Sequence, residues 1–253
     1  MGPLFVDTHV VSYAKRGLLA GSIRGASISS VSASELLLVY GEKRTAANYY
    51  VPLVSKLHWG SIAASRRDHP FSKLLTDQIV FDFGSDYEPL VEFGSLAIAE
   101  MINERRVELL QRSIQFLSKG RQKIIREDFR VLVENEVRCV PLNTRAVDIG
   151  HRLLDAFRSS DQRIKTTFRN TWNDLLILSA AWANNEELLS NDDQLNRFAA
   201  SSFGEFSQWG SGILKIRFPA LQAPTARRIS GESKRYVNRG WQASFRTRIK
   251  QAL

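Results

Sequence analysis

The sequence holds one cysteine, two methionines and four histidines in 253 residues. One thiol can form neither an internal disulfide nor a cysteine-based zinc site. Cys139, in Val137-Arg138-Cys139-Val140, reads as a buried strand residue, and the scarcity of thiols fits a reducing, cytoplasmic setting. His9, His58, His69 and His151 have no zinc spacing, and no His-Glu-x-x-His helix motif occurs. No apolar run approaches the ~18 residues that a membrane helix needs. Asp7, His9, Lys15 and Arg16 interrupt the N-terminal apolar residues, so no secretory leader is expected. A phosphate-binding G-x-x-x-x-G-K-[ST] loop, a strand-linked G-x-G-x-x-G and a G-x-S-x-G elbow are all missing. Nucleotide hydrolysis on a P-loop, dinucleotide binding and serine-hydrolase chemistry are therefore unsupported.

Positive charge is abundant and unevenly placed. Lys and Arg number 35 against 26 Asp and Glu, a formal charge of +9. From Ala223 to Leu253 the cations are Arg227, Arg228, Lys234, Arg235, Arg239, Arg246, Arg248 and Lys250, and Glu232 is the one acid. Tyr236, Trp241 and Phe245 are interleaved with them. Cations for phosphates and aromatic faces for bases together suit a single-stranded nucleic acid. Arg227, Arg228, Lys234, Arg235, Trp241, Arg246 and Arg248 are the candidate contacts. The competing reading is a solvated or weakly helical tail whose aromatics pack on the domain.

Strand and helix signals alternate, which predicts an α/β domain around a parallel or mostly parallel sheet. Leu4 to Val6 reads as the first strand and Ser32 to Tyr40 as a helix capped by Ser32. From Gly41 to about Gly94 the pattern loosens into an elaboration, with one short strand over Ile79 to Phe83. Apolar spacing predicts a single helix over Ser95 to Leu117 and another from about Arg126 to Glu134. Val137 to Leu142, Leu188-Leu189 and Gly212 to Phe218 read as strands, and Thr144 to Phe157 and Trp172 to Asn184 as helices. The main domain spans residues 1–220, with an elaboration over about 41–94, and a basic tail occupies 221–253.

Four acids fall at the junctions of this pattern. Asp7 ends Leu4-Phe5-Val6, and Glu35 opens Leu36-Leu37-Leu38-Val39. Asp174 opens Leu175-Leu176-Ile177-Leu178, and Asp192 follows Leu188-Leu189-Ser190-Asn191. Ligands of parallel sheets bind beyond the carboxyl ends of strands, where Asp7 and Asp192 would lie. Carboxylates gathered there raise one another's pKa unless cations compensate, and Mg²⁺ or Mn²⁺ is the usual partner of such oxygen ligands. Every acid also has a structural alternative. Ser32-x-x-Glu35 and Thr171-x-x-Asp174 fit capping boxes, Asp7 could cap the element after the first strand, and Asp192 could close an Asx turn. Asp82, Asp86 and Glu88 form a second acidic group that reads as a solvated loop.

As an ordered set these patches resemble the PIN domain, the nuclease fold of VapC-type toxins and related ribonucleases. Leu4-Phe5-Val6-Asp7-Thr8 resembles the family's apolar strand ending in Asp-Thr. Ser32-Ala33-Ser34-Glu35-Leu36 resembles its helix-borne glutamate motif. Asn173-Asp174 with the apolar, alanine-rich stretch through Ala181 is similar to its third motif, and Leu188-Leu189-Ser190-Asn191-Asp192 to its strand ending in Thr/Ser-Asn-Asp. The stretch between Glu35 and Asp174 is longer than in minimal members, His9 stands where Asn or Ser is common, and Gln194 replaces a frequent acid.

The resemblance implies a Rossmannoid three-layer α/β fold with a central, mostly parallel sheet, a helical insertion and the basic tail. It implies that Asp7, Asp174 and Asp192 ligate Mg²⁺ or Mn²⁺, that Glu35 completes the pocket, and that Thr8 and Ser190 orient carboxylates. Lys15 or Arg16 could steer phosphate or serve as ordinary surface charges. The implied activity is metal-dependent hydrolysis of RNA phosphodiesters, as in the toxin of a toxin–antitoxin pair, with RNA as substrate and an antitoxin or a second copy as partner, away from membranes. Two rivals stay open: a non-catalytic nucleic-acid-binding or scaffold protein on the same fold, and a phosphatase-like enzyme for small phosphoesters. Metal binding separates the first from a nuclease, and the dependence of activity on residues 223–253 separates the second.

Overall fold

The computed structural model describes residues 4–19, 21–37, 78–83, 86–88, 90–115, 117–160, 164, 167–203, 206–210, 212–221 and 241–244. Strand β1 (Leu4–Val6) leads into helix α1 (Thr8–Lys15), and β2 (Ser27–Ser29) into α2 (Ser30–Leu36). After β3 (Gln78–Asp82) and β4 (Leu90–Phe93) come α3 (Ser95–Asn103), α4 (Val107–Ile114) and α5 (Lys119–Glu134). Strand β5 (Arg138–Val140) precedes α6 (Thr144–Arg158) and α7 (Phe168–Ala183). The order closes with β6 (Glu187–Ser190), α8 (Asp193–Phe203), β7 (Phe206–Gly210), β8 (Ile213–Ile216) and β9 (Trp241–Ser244).

Among the described residues six strands form the main sheet, in the order β5-β2-β1-β6-β8-β7. The first four run parallel, β8 runs against them, and β7, antiparallel to β8, closes the far side in the direction of the first four. The sheet is thus mixed, as the mostly parallel expectation allows. Alternation along β1 and β6 sends neighbours to opposite faces. Phe5 and Leu188 pack with α6, α7 and α8, whereas Val6 and Leu189 pack with α1, α3, α4 and α5. Helices therefore cover both faces, which is why these short strands are apolar on both sides. Cys139 is buried on β5, as expected, and burial alone pushes its thiol far above the ordinary range.

Some elements differ from expectation. The periodic stretch from Ser95 to Leu117 breaks into α3 and α4 because Arg105 takes φ 54°. Arg106 then ties the ends of the two helices together, at 2.7 Å from Glu100 and 3.1 Å from Glu108. Helix α2 starts earlier than expected, with Ser29 accepting from the Ser32 backbone N–H at 2.9 Å. Thr167, rather than Thr171, caps α7. Strand β9 lies in the segment expected to be a separate tail. It pairs in parallel with β3, which also pairs with β4, making a second, three-stranded sheet. The β3 residues Ile79 and Phe81 join the core on the α6–α7 side, where Phe81 and Trp172 meet edge to face at 5.1 Å.

Candidate functional site

The order of the main sheet creates a switch point. From β1 the chain moves to β2 on one side, while β6 occupies the other. A crevice opens beyond the carboxyl ends at such a reversal. Because Val6 is level with Leu189, the next residues, Asp7 and Ser190, come side by side. The Ser190 hydroxyl donates to Asp7 Oδ2 at 2.5 Å and accepts from the Asp192 backbone N–H at 3.0 Å. One buried serine thereby joins the acids that follow two neighbouring strands.

Both acids also hold their helices. Asp7 Oδ1 accepts from the Val10 N–H at 2.9 Å, and Asp192 Oδ1 from the Leu195 N–H at 2.7 Å. These are capping bonds that satisfy orphan donors in a helix's first turn. The Asp192 bond replaces the expected Asx turn. Asp7 is 3% exposed. Burial raises its carboxyl above the usual range, while the Ser190 bond, the Val10 and Asn191 backbone donors and the nearby His9 charge act in the opposite direction.

Glu35 and Asp174 are held differently. Glu35 lies in the last turn of α2 rather than near its start, and Asp174 lies well inside α7, so neither forms the expected capping box. The Thr8 hydroxyl donates to Glu35 Oε2 at 2.7 Å. Asn173 Nδ2 donates to Glu35 Oε1 at 3.0 Å. Asp174 is the next residue on α7 and is half-buried. A continuous path thus runs from Asp192 through Ser190 to Asp7, along the chain to Thr8, across to Glu35, and through Asn173 to Asp174. Sequence reasoning picked out Thr8 and Ser190 but missed Asn173, although it adjoins Asp174 in the quoted motif.

Most of the other sequence candidates separate from this edge, although the His9 charge acts on the Asp7 carboxyl. Lys15 pairs with Asp128 at 2.7 Å and so fastens α1 to α5. Arg16 is exposed just past the end of α1, and His9 is exposed near its start. Asp86 pairs with Arg158 at 2.7 Å rather than standing in an acidic group. Trp241 begins β9, paired with Ile79. Arg227, Arg228, Lys234, Arg235, Arg246 and Arg248 lie outside the described residues. Asn191 was not singled out, yet its Nδ2 donates to the Tyr13 hydroxyl at 2.8 Å. Gly212 approaches it so closely that a Cβ there would come within 2.8 Å of Asn191 Oδ1.

The donors at this edge are hard carboxylate oxygens, the chemistry that Mg²⁺ or Mn²⁺ selects. Among the described residues no group of three or more Asp, Glu, His or Cys side chains is spaced to hold a metal ion. The expected triad of Asp7, Asp174 and Asp192 is therefore not drawn together as a cage, since helix-capping and serine bonds hold Asp7 and Asp192 while Asp174 rides on α7. Mg²⁺ is commonly held by one or two carboxylates plus substrate phosphate, with water completing the octahedron. Asp7 and Asp192, joined through Ser190, fit that smaller donor set.

No helix among the described residues is long and apolar enough to cross a membrane. No family model matches the chain, and no curated protein or solved structure matches it.

Proposed function

We propose that the chain is a PIN-like, Mg²⁺- or Mn²⁺-dependent ribonuclease acting at the carboxyl edge of β1 and β6. One observation carries the reading: the linked path of Asp192, Ser190, Asp7, Thr8, Glu35, Asn173 and Asp174 at a switch point of the sheet. When bound, the cation supplies Lewis acidity toward water and phosphate. Asp7 and Asp192 are the residues that would hold it. Ser190 fixes the orientation of Asp7 and, through the Asp192 N–H, the position of the second acid. Thr8 and Asn173 hold one oxygen each of Glu35, which leaves that carboxylate's remaining lone pairs to orient or accept a proton from water. Asp174 adds negative charge at the same edge and favours cation occupancy.

The overall charge of +9 supports a polyanionic substrate despite the acidic edge. A non-catalytic binding protein is the second reading, favoured by the finding that the described residues hold no preassembled group of three acids. Both are tested by incubating the full chain with labelled total RNA and single-stranded DNA in Mg²⁺, Mn²⁺ or EDTA, beside Asp174→Asn. RNA cleavage that needs the cation and disappears in the variant supports the nuclease. Cleavage that survives EDTA would contradict it, and absence of both cleavage and cation binding would leave the binding reading.

A further inference from the structure

A cleft of about 490 Å³ lies between α8 and β8, lined by Asp193, Asn196, Arg197, Ala200, Gly212 and Leu214. It begins one residue beyond Asp192. Asn196 is 6% exposed. Its Nδ2 donates to the Ser190 carbonyl at 3.2 Å, so this wall of the cleft is pinned to the strand that ends at the acidic edge. The same bond fixes which way the amide faces, and among the described residues Asn196 Oδ1 is buried without a hydrogen-bond donor. An unsatisfied acceptor of this kind is unfavourable and marks a place where a ligand donor would be welcome.

The exposed rim is also unpaired. Asp193 and Arg197 are one helical turn apart, a spacing at which a carboxylate and a guanidinium commonly meet. Among the described residues neither side chain makes an ion pair or hydrogen bond. The cleft therefore offers a buried acceptor, a carboxylate, a guanidinium and an apolar wall from Ala200 and Leu214. Its volume falls in the range of small-molecule pockets.

We propose that this cleft binds one ribonucleotide unit, on the reading of the chain as a ribonuclease the nucleotide beside the bond that is cut. Arg197 takes the phosphate, where a planar fork of donors suits two phosphate oxygens. Asp193 accepts from a ribose hydroxyl, the group that separates RNA from DNA. Asn196 Oδ1 accepts an N–H from the base edge, and the base lies against Ala200 and Leu214. No bond is made or broken in this cleft; it sets where the strand sits relative to Asp192.

The test uses the full chain in EDTA, titrated with the 5′-monophosphates of adenosine, cytidine, guanosine and uridine, their 2′-deoxy counterparts and inorganic phosphate. Wild type is compared with Arg197→Ala, which alters an exposed side chain, and with Ala200→Leu, which fills the cleft. At least one ribonucleotide should bind at or below about 1 mM and more tightly than its deoxy counterpart. Arg197→Ala should weaken it roughly tenfold, and Ala200→Leu should weaken it further. No binding at that concentration, equal binding of inorganic phosphate, or the same affinity in both variants would overturn the proposal. Because EDTA excludes the cation and turnover, the two readings fail separately. Loss of RNA cleavage with nucleotide binding intact rejects only the nuclease, and cleavage without nucleotide binding rejects only the cleft.

Discussion

Asp7 and Asp192 belong to strand ends, whereas Glu35 and Asp174 ride on helices, and the two pairs carry different structural duties. The strand-end acids cap α1 and α8 and share Ser190. Removing either disturbs a helix start as well as any chemistry. Glu35 and Asp174 cap nothing. The bonds of Glu35 come from Thr8 and Asn173, two side chains with no part in a backbone cap of α2. The difference separates acids that hold helix starts from acids that hold none. If the edge is catalytic, the helix-borne pair should be dispensable for stability and indispensable for turnover.

The largest effect should come from Asp174→Asn. RNA cleavage should fall roughly 10–100-fold, as when a group that supports a metal site is lost, while the urea midpoint stays near wild type. A large fall in the midpoint would erase the contrast between the pairs. Ser190→Ala comes next, since it leaves Asp7 Oδ2 and the Asp192 N–H without their partner. Stability should drop by about 1–3 kcal/mol, read from denaturant unfolding, together with cleavage. An unchanged midpoint would show that this serine does not join the strand-end acids.

Asp192→Ala should cost about 0.5–2 kcal/mol, the usual range for a lost cap. Glu35→Gln should stay within about 0.5 kcal/mol of wild type. Equal losses from these two would break the division of labour. The smallest effect concerns pH and Asp7→Asn, measured in EDTA. Burial raises the Asp7 carboxyl in the folded chain. As pH climbs from the unfolded carboxylate range toward the raised folded value, the unfolded state loses its proton first and wild-type stability falls. Below that window the group is protonated in both states and contributes no slope. Asparagine still caps a helix well, so the variant should lack this decline and gain on wild type as pH rises. A parallel pH profile would place Asp7 in a wetter site.

The acidic edge was largely legible because apolar runs that stop at an acid mark strand ends, and strand ends of a parallel sheet share one side. Asp7 and Asp192 follow from that logic, whereas Thr8 and Ser190 came from the family resemblance. The helix starts did not. Serine and threonine recur at 29, 30, 32 and 34, and at 166, 167 and 171. Periodicity alone cannot choose which of them caps, and the wrong choice gave Glu35 and Asp174 structural roles they do not hold. Strand β2 was missed because Ser27-Ile28-Ser29 has one apolar residue, although its neighbours on both sides bury all of it. Asn173 was invisible for a different reason: its partner Glu35 is 138 positions away. Contacts of that range belong to the folded topology rather than to any local pattern.

The pairing of β9 with β3 also changes how the basic C-terminal segment should be interrogated. Truncating residues 223–253 would remove positive charge and a neighbouring strand together. The bare side of β3 would then present unpaired N–H and C=O groups, a template for joining another chain. A shortened protein could lose RNA because it self-associates, independently of any phosphate contact. Charge-neutral replacements at Arg227, Arg228, Lys234 and Arg235, which leave β9 in place, separate attraction for nucleic acid from protection of a sheet margin.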